Sequence, residues 1–165
     1  GRLLITLMLI NDGVLHSCLF YPSFQFKKNR SEYYRQLTSV RERGTYEEWI
    51  EFFCNSLLES AKDSVGSLKN LVDLHNRSTA TITENLGRTA ANGQRLLGIL
   101  EEHPIVDTAF IAAQLDIGRS TASALVKSFE ELGILRPLDE SRQRYRQYGY
   151  EEYLSILRED AEPIR

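Results

Sequence analysis

The sequence predicts a mainly α chain in two parts, a run of helices followed by a winged helix-turn-helix domain with a small β-hairpin wing. Three observations predict it. Apolar residues recur at three- and four-residue spacing over most of the 165 residues. Between Thr108 and Gly133 two such segments are joined by the short turn Asp116-Ile117-Gly118, the helix-turn-helix plan. After it, Ile134-Leu135-Arg136-Pro137 and Arg144-Tyr145-Arg146-Gln147-Tyr148 flank a polar tip, Leu138–Gln143, as the two strands of a hairpin would.

Residues 1–75 read as consecutive helices. The run Leu3–Ile10 is apolar throughout and reads as a buried core helix, stopped at Asn11-Asp12-Gly13. It starts directly behind Gly1-Arg2 with no helix-start residue, as though a loop preceded it. Pro22-Ser23 opens a short helix, because Pro suits a first turn. Ser31 is expected to cap a third helix running to about Val40, and Arg43-Gly44 ends that segment. Thr45 caps the next helix. Its apolar positions Tyr46, Trp49, Phe53 and Leu57 continue through Ala61, Val65, Leu68 and Val72, which allows one long helix or two stacked ones.

Residues 76–92 change character, with Asn76-Arg77-Ser78-Thr79-Ala80-Thr81-Ile82-Thr83 rich in Ser and Thr. That composition reads as a domain boundary, either a linker or a connecting helix carrying Ile82, Leu86 and Ala90. Residues 93–165 then form the winged-helix domain. Its first helix, Arg95–Glu102, is stopped by His103-Pro104. Thr108 is expected to cap a helix with Ala109, Ile111, Ala112 and Leu115, and Ser120 one with Ala122, Leu125, Val126, Phe129 and Leu132. A last helix, Glu151 to about Arg158, packs Tyr153, Leu154 and Leu157. Strand is expected only in the wing.

Composition narrows the function classes. A hydrophobic share of 42% and a charged share of 26% are those of an ordinary globular protein. Net charge is −3, so bulk electrostatics give no push toward nucleic acid or an anionic membrane. The run Leu3–Ile10 is far short of the roughly 20 residues that cross a bilayer, and no secretory leader is visible. A cytoplasmic location is the expectation. Cys18 and Cys54 are too few for a disulfide framework and read as buried, inert thiols. His16, His75 and His103 are scattered, so no metal site is assigned.

Gly1-Arg2-Leu3-Leu4-Ile5 resembles the end of the active-site motif of Fic proteins, HxFx(D/E)GNGRxxR, and the apolar helix behind it. Similarity continues through Tyr21-Pro22-Ser23, Lys27-Lys28-Asn29-Arg30-Ser31-Glu32-Tyr33-Tyr34-Arg35-Gln36-Leu37 and Trp49-Ile50-Glu51-Phe52-Phe53. The Lys27–Leu37 block is its specific part, and it looks like the subgroup whose Fic domain is followed by a winged helix. The resemblance implies transfer of AMP from ATP to a protein hydroxyl. The motif His would be the general base, its acidic residue would orient magnesium, and its Arg residues would hold phosphates at a helix N-terminus. Of these only the final Arg maps here, as Arg2; the His would precede residue 1. Residues 1–165 alone are therefore expected to be inactive, with no catalytic residue and no tight hold on ATP or magnesium. By the same resemblance Tyr34 and Leu37 flank the adenine or ribose. Read from spacing alone, that pair is more often a piece of plain helical core.

The winged helix offers a second candidate site. Arg119, Ser120, Thr121, Ser123 and Lys127 lie on the exposed side of the second helix, the one that enters the major groove in such modules. Arg142, Arg144 and Arg146 alternate onto one face of the wing, where they would meet phosphates. Charge opposes this: residues 95–165 hold nine Lys plus Arg against thirteen Asp plus Glu. Two functions therefore stand side by side. One is the C-terminal part of a Fic-type AMP transferase acting on a protein target. The other is a winged-helix regulator that binds DNA or protein, its helical half a platform for a homodimer.

Overall fold

The computed structural model describes residues 2–14, 22–139 and 146–159. The chain is mainly α with one small antiparallel sheet, and it divides into two compact units inside its longest helix, between Lys69 and Asn70.

The first unit contains α1 (Arg2–Asn11), α2 (Pro22–Lys28), α3 (Arg30–Arg43) and the first part of α4 (Tyr46–Asn85). Its core is aromatic. Phe26 of α2 is buried and stacks on Phe53 at 5.7 Å between centroids, while Tyr33 of α3 meets Trp49 edge-on at 5.6 Å. Gln25 is buried with its amide donating to Asp63 at 2.6 Å, which ties α2 to α4. Gly44 ends α3 in the left-handed region, φ 70°, where its N–H donates to the Val40 carbonyl. A side chain there would meet the Cβ penalty of that conformation.

Several expectations for this unit are corrected. α1 is not a buried core helix: Leu4, Leu7 and Met8 are exposed. α3 begins behind Asn29 rather than at a Ser31 cap, and extends to Arg43. Cys54 is an exposed free thiol, not a buried one. Cys18 lies outside the described residues. The apolar positions of α4 also split into two faces. Trp49 and Phe53 join the aromatic core, whereas Tyr46, Ile50, Val65, Leu68 and Val72 are exposed.

The second unit runs Asn70–Leu157. After the end of α4 comes a 3₁₀ turn, Gly87–Thr89, then α5 (Ala90–Glu102), β1 (Ile105–Asp107), α6 (Thr108–Leu115) and α7 (Arg119–Glu131). The wing strands β2 (Arg136–Pro137) and β3 (Gln147–Gly149) and the helix α8 (Glu151–Glu159), as far as Leu157, complete it. The sheet order is β1-β3-β2, all antiparallel, with Val106 opposite Tyr148 and Pro137 opposite the same residue on the other side. Helix, strand, two helices and two strands in that order form a helix-turn-helix closed by a wing.

A continuous apolar core underlies that sheet, with Ile82, Leu96, Leu100, Ile111, Phe129 and Tyr150 among its most buried members. Of the two readings open for residues 76–92, the helix prevails as far as Asn85, with Ser78 and Ile82 buried in the second unit. β1 is a strand outside the wing, contrary to expectation; it forms because Ile105 and Val106 pair with β3. The caps also differ. Asp107, not Thr108, caps α6, its carboxylate accepting from the Phe110 N–H at 2.8 Å. Gly118, not Ser120, precedes α7. In α8 the buried residue is Ile156, while Leu157 is exposed.

Candidate functional site

One place in each unit holds sequence-predicted residues: a groove with Tyr34 alone of its set in the first, and a cleft with Arg119, Ser123 and Arg146 in the second. In the first, α3 presents Ser31, Tyr34, Arg35, Thr38, Ser39, Glu42 and Arg43 along an open groove of about 460 Å³. Tyr34 is 50% exposed and Leu37 39%, so neither is core, and the plain packing reading of that pair is overturned. The Tyr34 ring is held by its neighbours. Tyr33 meets it edge-on at 5.4 Å, and the Arg30 guanidinium sits 5.7 Å from its centroid.

Arg35 is engaged by a forked pair with Glu32, Nη2 to Oε1 at 2.5 Å and Nε to Oε2 at 2.8 Å. Those bonds, with a further one from Gln36, hold the Glu32 carboxyl below the usual carboxylate range and raise Arg35. Arg35 is exposed and Glu32 partly so, and the pair orients more than it stabilises. Arg43 donates to Ser39 Oγ at 2.8 Å, and Ser39 Oγ lies 2.6 Å from Thr45 Oγ1. Such a surface offers an aromatic ring beside guanidinium groups that already have partners, with the Glu42 carboxylate on the same groove. Leu37 is exposed on the same helix but does not line the groove. Arg2 starts α1; its side chain lies outside the described residues.

In the second unit a cleft of about 350 Å³ is lined by Asp107, Thr108, Ala109, Arg119, Ser123, Arg146 and Tyr148. Three elements meet there: the start of α6, the outer side of α7 and the approach to β3. Arg119, Ser120, Thr121, Ser123 and Lys127 are all exposed on α7, opposite the buried Ala122, Leu125, Val126 and Phe129. Lys127 reaches Glu131 at 3.7 Å, a long exposed pair that leaves its charge largely available. Arg142 and Arg144 lie outside the described residues. Asp107 lines the same cleft as Arg119 and Arg146 and adds a negative charge to it. Sequence reasoning missed Asp107, Thr108 and Tyr148 as lining residues. The capping preference of Asp would have found the first two; Tyr148 carries no such local signal.

Among the described residues no group of three or more His, Cys, Asp or Glu is placed to hold a metal ion. None of the described helices is long and apolar enough to cross a membrane. No family model matches the chain.

Proposed function

We propose that this chain is the C-terminal part of a Fic-type AMP transferase, a Fic helical segment followed by a winged helix. The resemblance along Gly1–Ile5 and Lys27–Leu37 motivates the reading. The observation that carries it is the exposure of Tyr34 and Leu37, an aromatic and an aliphatic side chain left out of the core on α3. In the reaction a target hydroxyl oxygen attacks the α-phosphorus of ATP, its proton passes to the motif His, and the bond to pyrophosphate breaks. Residues 1–165 would contribute Arg2 toward a phosphate and Tyr34 and Leu37 toward the adenine or ribose. Magnesium would be oriented by the acidic residue of the motif, so none of these 165 residues is assigned to it. The codons immediately upstream of Gly1 test the proposal: an in-frame HPFxDGNGR supports it, and a start codon with no such motif overturns it.

A second reading, a winged-helix module that contacts DNA, draws on one observation: Arg119, Ser123 and Arg146 line the same cleft. The acidic balance of residues 95–165 weighs against tight duplex binding and favours a protein contact. An anisotropy titration of mixed duplexes at low salt separates the two.

A further inference from the structure

The Tyr34 ring has two holds on it although Tyr34 stays half exposed. Tyr33 meets it edge-on at 5.4 Å, and Tyr33 itself packs on Phe26 at 5.4 Å and Trp49 at 5.6 Å, so this contact leads back into the aromatic core. The Arg30 guanidinium lies over the ring at 5.7 Å from its centroid, one helical turn back at i, i+4.

Helix stability does not account for Arg30. It opens α3, where the unpaired N–H groups and the helix dipole carry partial positive charge and favour an acid. Glu32 in the same turn answers that preference, and Arg30 opposes it. Arg30 does not line the groove either. Arg35 and Arg43, which do, are tied to Glu32 and to Ser39. Arg30 is directed at the ring instead.

We propose that Arg30 is a positioning residue: it holds the Tyr34 ring in the orientation that a nucleotide base meets, and it touches no nucleotide itself. The proposal rests on the nucleotide reading of α3. A half-exposed tyrosine samples more than one staggered rotamer, and a ligand that needs one of them loses affinity in selecting it. A guanidinium over the ring, with Tyr33 anchored in the core, leaves less to be ordered on binding. Cation–π contacts at exposed sites are modest, so the share of Arg30 is about two- to five-fold in affinity.

The test uses the gene product that includes the codons upstream of Gly1, with ATP and adenosine as probes in the presence of magnesium. Arg30→Gln should weaken both by the same two- to five-fold factor, and Arg30→Lys should keep most of the affinity. In a Tyr34→Leu background Arg30→Gln should cost nothing further, because the two side chains act as one unit. The urea midpoint of Arg30→Gln should be unchanged or raised, since a cation leaves the positive end of α3. Unchanged affinity in Arg30→Gln overturns the proposal, as does a midpoint that falls together with affinity. A loss for ATP that adenosine does not share overturns it by putting the guanidinium on the phosphates. An equal loss in the Tyr34→Leu background overturns it by removing the link to the ring. A wild type that binds no ATP overturns the nucleotide reading and this proposal with it, whereas a wild type that binds and ignores Arg30→Gln overturns this proposal alone.

Discussion

The hydroxyl of Tyr150 lies 2.8 Å from Ser78 Oγ, both buried, joining residues 72 positions apart. This bond anchors the Ser- and Thr-rich end of α4 to the segment that leads from β3 into α8. Tyr150 also stacks on Tyr153 at 5.5 Å, and the Tyr153 hydroxyl donates to the Glu101 carbonyl at 3.0 Å. Tyr150→Phe should therefore lower stability by about 1–2 kcal/mol in urea unfolding, because Ser78 keeps its buried hydroxyl without its partner. An unchanged midpoint would mean that Ser78 finds an equal partner elsewhere.

The same phenol makes stability depend on pH at the alkaline end. Burial pushes the Tyr150 hydroxyl up to about 12, from an ordinary value of 10.0. Between those values the folded chain keeps a proton that the unfolded chain releases, so rising pH favours unfolding. The contribution is fully present below pH 10 and is lost as pH rises through about 12. The urea midpoint of the wild type should fall across that window relative to Tyr150→Phe; parallel curves would contradict the assignment.

Two glycines should respond in opposite directions. A Cβ on Gly93 would sit 2.8 Å from both Ile82 Cγ2 and Leu86 Cδ1, so α5 approaches the end of α4 too closely for Ala. Gly93→Ala is expected to cost about 1–3 kcal/mol through overpacking. Gly66 lies inside α4 with nothing within 4 Å of a built Cβ, and Gly66→Ala should stabilise by about 0.5–1 kcal/mol. Thermal or urea unfolding of the two variants checks both signs.

Any DNA binding by the second unit should be weak and salt-dependent. With about three to five phosphate contacts, log affinity should fall against log salt with a slope of roughly −0.9 per contact. Arg119→Ala with Arg146→Ala should reduce that slope, and substitution of Lys27 and Lys28 should leave it unchanged. A slope unaffected by the two arginines would move the contact away from the cleft.

Helix punctuation was legible where one residue dictates geometry. Pro22 opens α2, His103-Pro104 closes α5, and Gly133 takes φ 74° behind α7. The polar stretch after Asn76 was ambiguous because composition does not show where polar groups bond. In the fold Thr81, Thr83 and Asn85 each donate to the carbonyl four residues back, which satisfies them inside a helix. β1 was hidden because its partner lies some 40 residues onward, a pairing no local pattern announces. The α7 face could be read from Ala122, Leu125, Val126 and Phe129, which spacing alone assigns to the core. Periodicity gave the apolar positions of α1 and α4 but not what covers them, and so misjudged Leu4, Leu7 and Cys54. For the same reason spacing favours core for the Tyr34–Leu37 pair, which the fold leaves exposed: three-residue spacing is shared by core and binding face alike.

The nucleotide reading also expects residues 1–165 alone to leave no AMP on any protein, since the motif base is not among them. The gene product that includes the codons upstream of Gly1 tests that reading most directly. It should be incubated with magnesium and either α- or γ-labelled ATP, and its protein products resolved. AMP transfer keeps the α-phosphate on the acceptor and releases the γ-phosphate in pyrophosphate. The account predicts protein labelled from α-labelled ATP only, with Tyr34→Ala weakening the labelling. Label from γ-labelled ATP, or none from either, would contradict it.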